Sequence, residues 1–100
     1  MKILYNEKEV SIIDLGMVKI GESQTYNYIL ENDSVWNLKD ITLSLHDVDG
    51  KAVKEIEFLD SPTVMVGNSR SSLQFKWTPG IEIKKGLKTK LQINAIEIWD

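Results

Sequence analysis

The chain has 100 residues, a hydrophobic fraction of 42%, a charged fraction of 27% and a formal net charge of −3, the composition of one ordinary soluble globular domain spanning residues 1–100. The acidic balance argues against a nucleic-acid partner, which takes a basic surface. The absence of cysteine excludes thiol catalysis and thiolate metal sites, and points to folding in a reducing, cytoplasmic setting.

The apolar run at the start, Ile3-Leu4-Tyr5, is far too short for a signal-peptide core. No stretch approaches the ~18 apolar residues of a membrane span. Met1 stands almost at the first predicted strand, which reads as a complete small protein rather than an excised module. Turn residues recur along the whole chain: Gly16, Gly21, Asn32-Asp33-Ser34, Asp49-Gly50, Ser61-Pro62, Gly67-Asn68-Ser69, Pro79-Gly80 and Gly86. Short alternating runs lie between them, and no window carries apolar residues at helical spacing, so a sandwich or barrel is expected.

Strands are predicted over residues 2–5 and 10–15, with 17–20 continuing beyond a bulge at Gly16. The next is 25–31, where Tyr26, Tyr28 and Leu30 share a face. Residues 41–47 place Ile41, Leu43 and Leu45 inward and Thr42, Ser44 and His46 outward. Residues 52–59 follow the Asp49-Gly50 turn and read as the second arm of a hairpin, with Ile56 and Phe58 inward. A short apolar segment, 63–66, precedes 72–77, where Leu73, Phe75 and Trp77 point in. A brief strand is predicted at 81–84 and a long one at 88–99. In the last, Leu91, Ile93 and Ala95 have one parity and Ile96 and Ile98 the other. Either a bulge near Asn94-Ala95 rotates the strand, or its last residues bury both faces against a neighbour.

Three stretches carry a family resemblance. Ile13-Asp14-Leu15-Gly16-Met17-Val18-Lys19-Ile20-Gly21-Glu22-Ser23 resembles the opening of hydin-type (ASH) immunoglobulin-like domains, and Tyr28-Ile29-Leu30-Glu31-Asn32 resembles their next strand. Met65-Val66-Gly67-Asn68-Ser69 and Leu73-Gln74-Phe75-Lys76-Trp77-Thr78-Pro79 resemble a later segment of the same domains. The pattern departs at Val66, where the family has proline, and at Trp36, which the pattern does not require. The resemblance implies an antiparallel immunoglobulin-like β-sandwich of seven to nine strands. In size and type the chain is also similar to the small immunoglobulin-like proteins of tailed-phage particles, which decorate capsids or build neck and tail parts.

Catalytic chemistry is hard to assemble from these residues. His46 is the single histidine, and on a strand it points away from its neighbour Asp47. Asp47-Val48-Asp49-Gly50 resembles the middle of a calcium loop, but Leu45 and Ile56 stand where an EF-hand needs acids, and a hairpin turn is the better reading. Glu55 and Glu57 share the polar side of one predicted strand, without a cleft. There is no Gly-x-Ser-x-Gly elbow and no glycine-rich phosphate loop. No enzymatic activity, cofactor or metal is therefore expected.

Partner contacts are sought instead among Trp36, Trp99 and the lysines around Gly86, namely Lys84, Lys85 and Lys88 together with Lys90. Trp36 sits in a polar loop as either a core-edge residue or a contact, and Trp99 sits at the chain end, where contact is favoured. The lysines form a solvated hairpin that guards a strand edge, or an anchor for an acidic partner. The expected function is that of a structural, protein-binding subunit, an accessory or decoration protein of a phage virion that folds in the host cytoplasm. Repeated protein subunits, with possible homo-oligomers, are its expected partners. The alternatives are a cytoplasmic hydin-type adaptor, and a carbohydrate- or ligand-binding sandwich that uses Trp36 as its platform.

Overall fold

A computed structural model of the chain describes residues 1–80 and 87–98. Their regular structure is entirely β: β1 (Lys2–Tyr5), β2 (Lys8–Glu9), β3 (Ile13–Gly16), β4 (Gln24–Asn32), β5 (Asn37–Asp47), β6 (Ile56–Asp60), β7 (Ser69–Trp77) and β8 (Leu87–Ile98). They form two antiparallel sheets, a larger one ordered β2-β1-β4-β7-β6 and a smaller one ordered β3-β8-β5. The predicted strand at 81–84 lies outside the described residues.

Alternation of apolar and polar residues gives each sheet one apolar face. Leu30, Leu73, Phe75 and Trp77 of the larger sheet and Ile13, Leu15, Ile41 and Leu45 of the smaller one belong to a single buried cluster. Each such side chain contributes roughly 1.5–3 kcal/mol on leaving water, so this two-sheet, sandwich-like core is the main source of stability. Among the described residues no helix is long and apolar enough to cross a membrane.

Several local features differ from the sequence reading. β1 and β2 form a tight hairpin in which Tyr5 pairs with Lys8. Its two turn residues, Asn6 and Glu7, both have positive φ, at 51° and 66°, which matches the twist of antiparallel strands. The strand expected at 10–15 begins only at Ile13, because the Val10 amide turns back to donate to the Ile3 carbonyl at 2.9 Å. Residues 17–20 form no strand.

The expected hairpin after Asp49-Gly50 is only begun. Gly50 takes φ 82° in the turn, and Ala52 makes a single bridge to His46. The chain then crosses to the other sheet, where β6 pairs with β7, Phe58 opposite Phe75. Glu55 falls in this crossing with φ 66° and is not part of β6. Glu57 is, and its carboxylate pairs with Lys76 at 3.2 Å.

The bulge expected near Asn94-Ala95 lies instead in the neighbouring strand. Between the pairs Lys39–Ile96 and Thr42–Asn94 the register shifts, with the extra residue on β5 and Asp40 at φ 51°. β8 therefore runs through without a change of side. Leu91, Ile93, Ala95 and Glu97 stay on the inner face, while Ile96 and Ile98 stay on the outer one.

Phe75 organises the aromatic part of the core. Its ring stacks on Tyr26 at 5.1 Å and Tyr28 at 6.2 Å and tilts against Phe58 at 5.9 Å. The Tyr26 hydroxyl donates to the Leu15 carbonyl and so ties the two sheets together. Burial, reinforced by Tyr28 and Asp14 nearby, pushes the Tyr26 hydroxyl up from 10 to about 12, and burial also raises Tyr28. A tyrosine that ionises later in the folded state stabilises fully below its unfolded pKa, and that stabilisation is lost as pH rises through the folded one. The urea midpoint is expected to fall between pH 10 and about 12, and less steeply in Tyr26→Phe, which has no such group to ionise. Equal slopes for the two proteins would contradict this assignment.

Candidate functional site

At the end of the smaller sheet where β5 begins, two loops are pressed together, and Asn32 holds them. Its side chain is 1% exposed. Its amide nitrogen donates to the carbonyls of Trp36 (2.8 Å) and Val66 (3.0 Å). Its oxygen accepts from the Ser34 amide (3.2 Å) and the Ser34 hydroxyl (2.7 Å). Further bonds run from the Asn68 amide to the Ser34 carbonyl at 2.9 Å and from the Gly67 amide to Asn37 Oδ1 at 2.9 Å. Gly67 is needed for close approach, since a Cβ there would lie 2.4 Å from the Val35 carbonyl oxygen.

This clamp sets the 64–66 segment beside β5. Met65 bridges Leu38, exchanging backbone bonds of 2.7 and 3.0 Å, and both side chains point into the core. Their neighbours must then point outward. Two cross-strand rows follow from the register: Val66 beside Asn37 beside Ile98, and Val64 beside Lys39 beside Ile96. Three of the four aliphatic members are open to water, Val64 65%, Val66 63% and Ile96 51% exposed, with Val35 at 72% on the adjoining loop, while Ile98 is half-buried. Four apolar side chains of six in these rows, held on paired backbone, make a rigid apolar face with Lys39 and Asn37 through its middle.

The other candidates fall differently. Trp36 adjoins this face and is half-buried, with its backbone carbonyl accepting from Asn32. Trp99, Lys84 and Lys85 lie outside the described residues. Lys88 is exposed on β8 opposite Asp14 of β3, remote from the apolar face along the strand. His46 Nε2 lies 2.9 Å from the Ser44 hydroxyl and Nδ1 lies 3.2 Å from the Gly50 carbonyl. The Asp47 carboxylate instead accepts the amides of Asp49 and Lys51, each at 2.9 Å, which is turn chemistry. Among the described residues no three His, Asp or Glu side chains converge as a metal site. Trp77, by contrast, is 2% exposed and is core, as its alternation with Leu73 and Phe75 implied.

A concavity of about 500 Å³ is lined by Tyr5, Tyr26, Tyr28, Ile12 and Asp14 among others. Two of its polar groups are already committed: the Tyr26 hydroxyl to Leu15, and Asp14 Oδ1 to the Gly16 amide at 2.9 Å.

The fold and this surface define a small all-β protein of two antiparallel sheets with a preformed apolar face. Neither a protein-family model, nor a curated protein, nor a solved structure matches the chain.

Proposed function

We propose that the chain is a non-catalytic, immunoglobulin-like protein-binding subunit that docks through the outer face of the smaller sheet. The observation that carries this reading is the pair of rows containing Val64, Val66, Ile96 and Ile98. Aliphatic side chains on an ordered sheet are costly to leave in water, and apolar patches on rigid backbone mark contact surfaces. Little conformational freedom is lost when such a surface is covered, which favours docking. The similarity in size and type to virion proteins supports an accessory role in a repetitive particle, where weak single contacts gain through multivalency. The hydin-type adaptor reading would use the same face.

The test is a substitution that charges the face without touching the core. Val66→Lys with Ile96→Lys is expected to leave stability within about 0.5 kcal/mol, as for ordinary surface changes, and to abolish incorporation into the native complex. Normal incorporation of the folded double variant would contradict the proposal.

A further inference from the structure

β8 is the central strand of its sheet only over its first residues. β3 pairs with Leu87 to Thr89 and then leaves, because Val10 is drawn back to β1. Among the described residues no strand pairs with β8 on that side from Lys90 to Ile98. Every second residue of this stretch therefore presents a backbone N–H and C=O that no described strand pairs. Natural edges of this length are usually blunted by bulges, proline or charge. Here the bulge went to β5 and no proline is present, which leaves Glu97 as the sole charged group on the inner row.

That inner row is itself accessible. Leu91, Ile93, Ala95 and Glu97 line a groove of about 360 Å³ together with Leu38 and, from the opposite sheet, Met1. The side chains that line it are apolar except for one carboxylate, and Glu97 forms no ion pair among the described residues. The Met1 ammonium is engaged elsewhere, 3.3 Å from Asp33. The groove thus offers three recognisable features in one line: a backbone ladder, apolar positions at a period of two, and a negative charge at one end.

We infer that this edge accepts an extended segment of a partner protein as an added strand. The segment continues the lane of β3, antiparallel to β8, with apolar residues at alternate positions and a lysine or arginine opposite Glu97. The ladder accounts for the strand conformation, since an added strand exchanges the water on those groups for paired backbone. The inner row sets the side-chain period, and Glu97 sets the charge. β3 already shows that this same edge takes an antiparallel strand. The inference rests on the reading of the chain as a protein-binding subunit but uses a different surface, and its probes do not touch Val64, Val66 or the partner of that face.

The experiment titrates the isotopically labelled full chain with a blocked peptide, Lys-Thr-Val-Thr-Ile-Thr-Val. A second peptide begins with Glu, and a third is N-methylated on alternate residues along its ladder-forming side. The lysine peptide is expected to give saturable amide shifts confined to residues 90–98 and Leu38, with a shift of the Met1 methyl. The glutamate peptide should bind roughly three-fold more weakly, because like charges are then directly opposed across the strand pair. Glu97→Lys should invert that order, and the methylated peptide should not bind. The inference is overturned if no peptide saturates, or if the two charged peptides bind equally. It is also overturned if those amides of 90–98 that point away from β5 are already slow to exchange in dilute protein, or become so as its concentration rises. That last result would assign the edge to a second copy.

Discussion

Phe75→Ala is expected to destabilise the protein by about 3–5 kcal/mol, the cost of a large-to-small change at a fully buried aromatic. Phe75 is 0% exposed and touches aromatic rings from both flanking strands. Tyr26 faces it from β4 and Phe58 from β6, with Tyr28 one step along β4. Removing the ring leaves a cavity whose aromatic walls belong to two different strands, so no single movement closes it. Each aromatic pair adds about 0.5–1.5 kcal/mol beyond the area buried, which places the loss toward the upper end. Small domains hold only about 5–15 kcal/mol in total, so the variant should lose a large part of its stability. Urea unfolding followed by tryptophan fluorescence measures this directly. A loss below about 1 kcal/mol would mean that the aromatic cluster does not organise the core.

Asn32→Ala is expected to cost about 2–4 kcal/mol and to loosen the proposed docking face along with it. The side chain makes four hydrogen bonds, two of them donated to main-chain carbonyls on separate loops. Leaving buried acceptors without a donor costs about 1–3 kcal/mol each when water cannot replace the bond. Asn32→Asp is the sharper variant, because it keeps the shape, loses both donated bonds, and turns an anion toward two carbonyl oxygens. It should be at least as destabilised as the alanine variant. Amide exchange should rise selectively over residues 33–37 and 64–68 in both, ahead of the global unfolding limit. Uniform exchange across the chain, or an aspartate variant as stable as the parent, would show that Asn32 is not the clamp.

Much of the core was legible from the sequence because it depends on local alternation. Leu73, Phe75 and Trp77 declare a buried face on one strand, and Ile41 and Leu45 do so on another. The turn at Asp47 to Lys51 was legible for the same reason, since aspartate and glycine carry their own turn chemistry. What escaped depends on partners far away in the chain. Asn32 read as a turn residue, and nothing in its surroundings announced that it reaches Val66, 34 positions on. The change of parity along β8 was visible, but its cause was not. A bulge on a strand alters that strand's own parity, whereas a bulge on its neighbour preserves it and turns Ile96 and Ile98 outward.

The docking face illustrates the same division. Residues 63–66 were legible as a short apolar segment, and Ile96 with Ile98 as a set facing the other way. Only the Leu38–Met65 bridge joins the two into rows. The hairpin at Asn6-Glu7 was missed because glutamate is a poor signal for positive φ, even beside an asparagine that tolerates it.

The central claim is that Val64, Val66 and Ile96 are covered by a protein partner. Carbene footprinting of the chain, free and in its native complex, tests it most directly. Labelling at Val64, Val66 and Ile96 should fall several-fold on assembly, while Val48, also strongly exposed but at the far turn of β5, keeps its labelling. Unchanged labelling of the three residues in a complex that demonstrably contains the chain would contradict it.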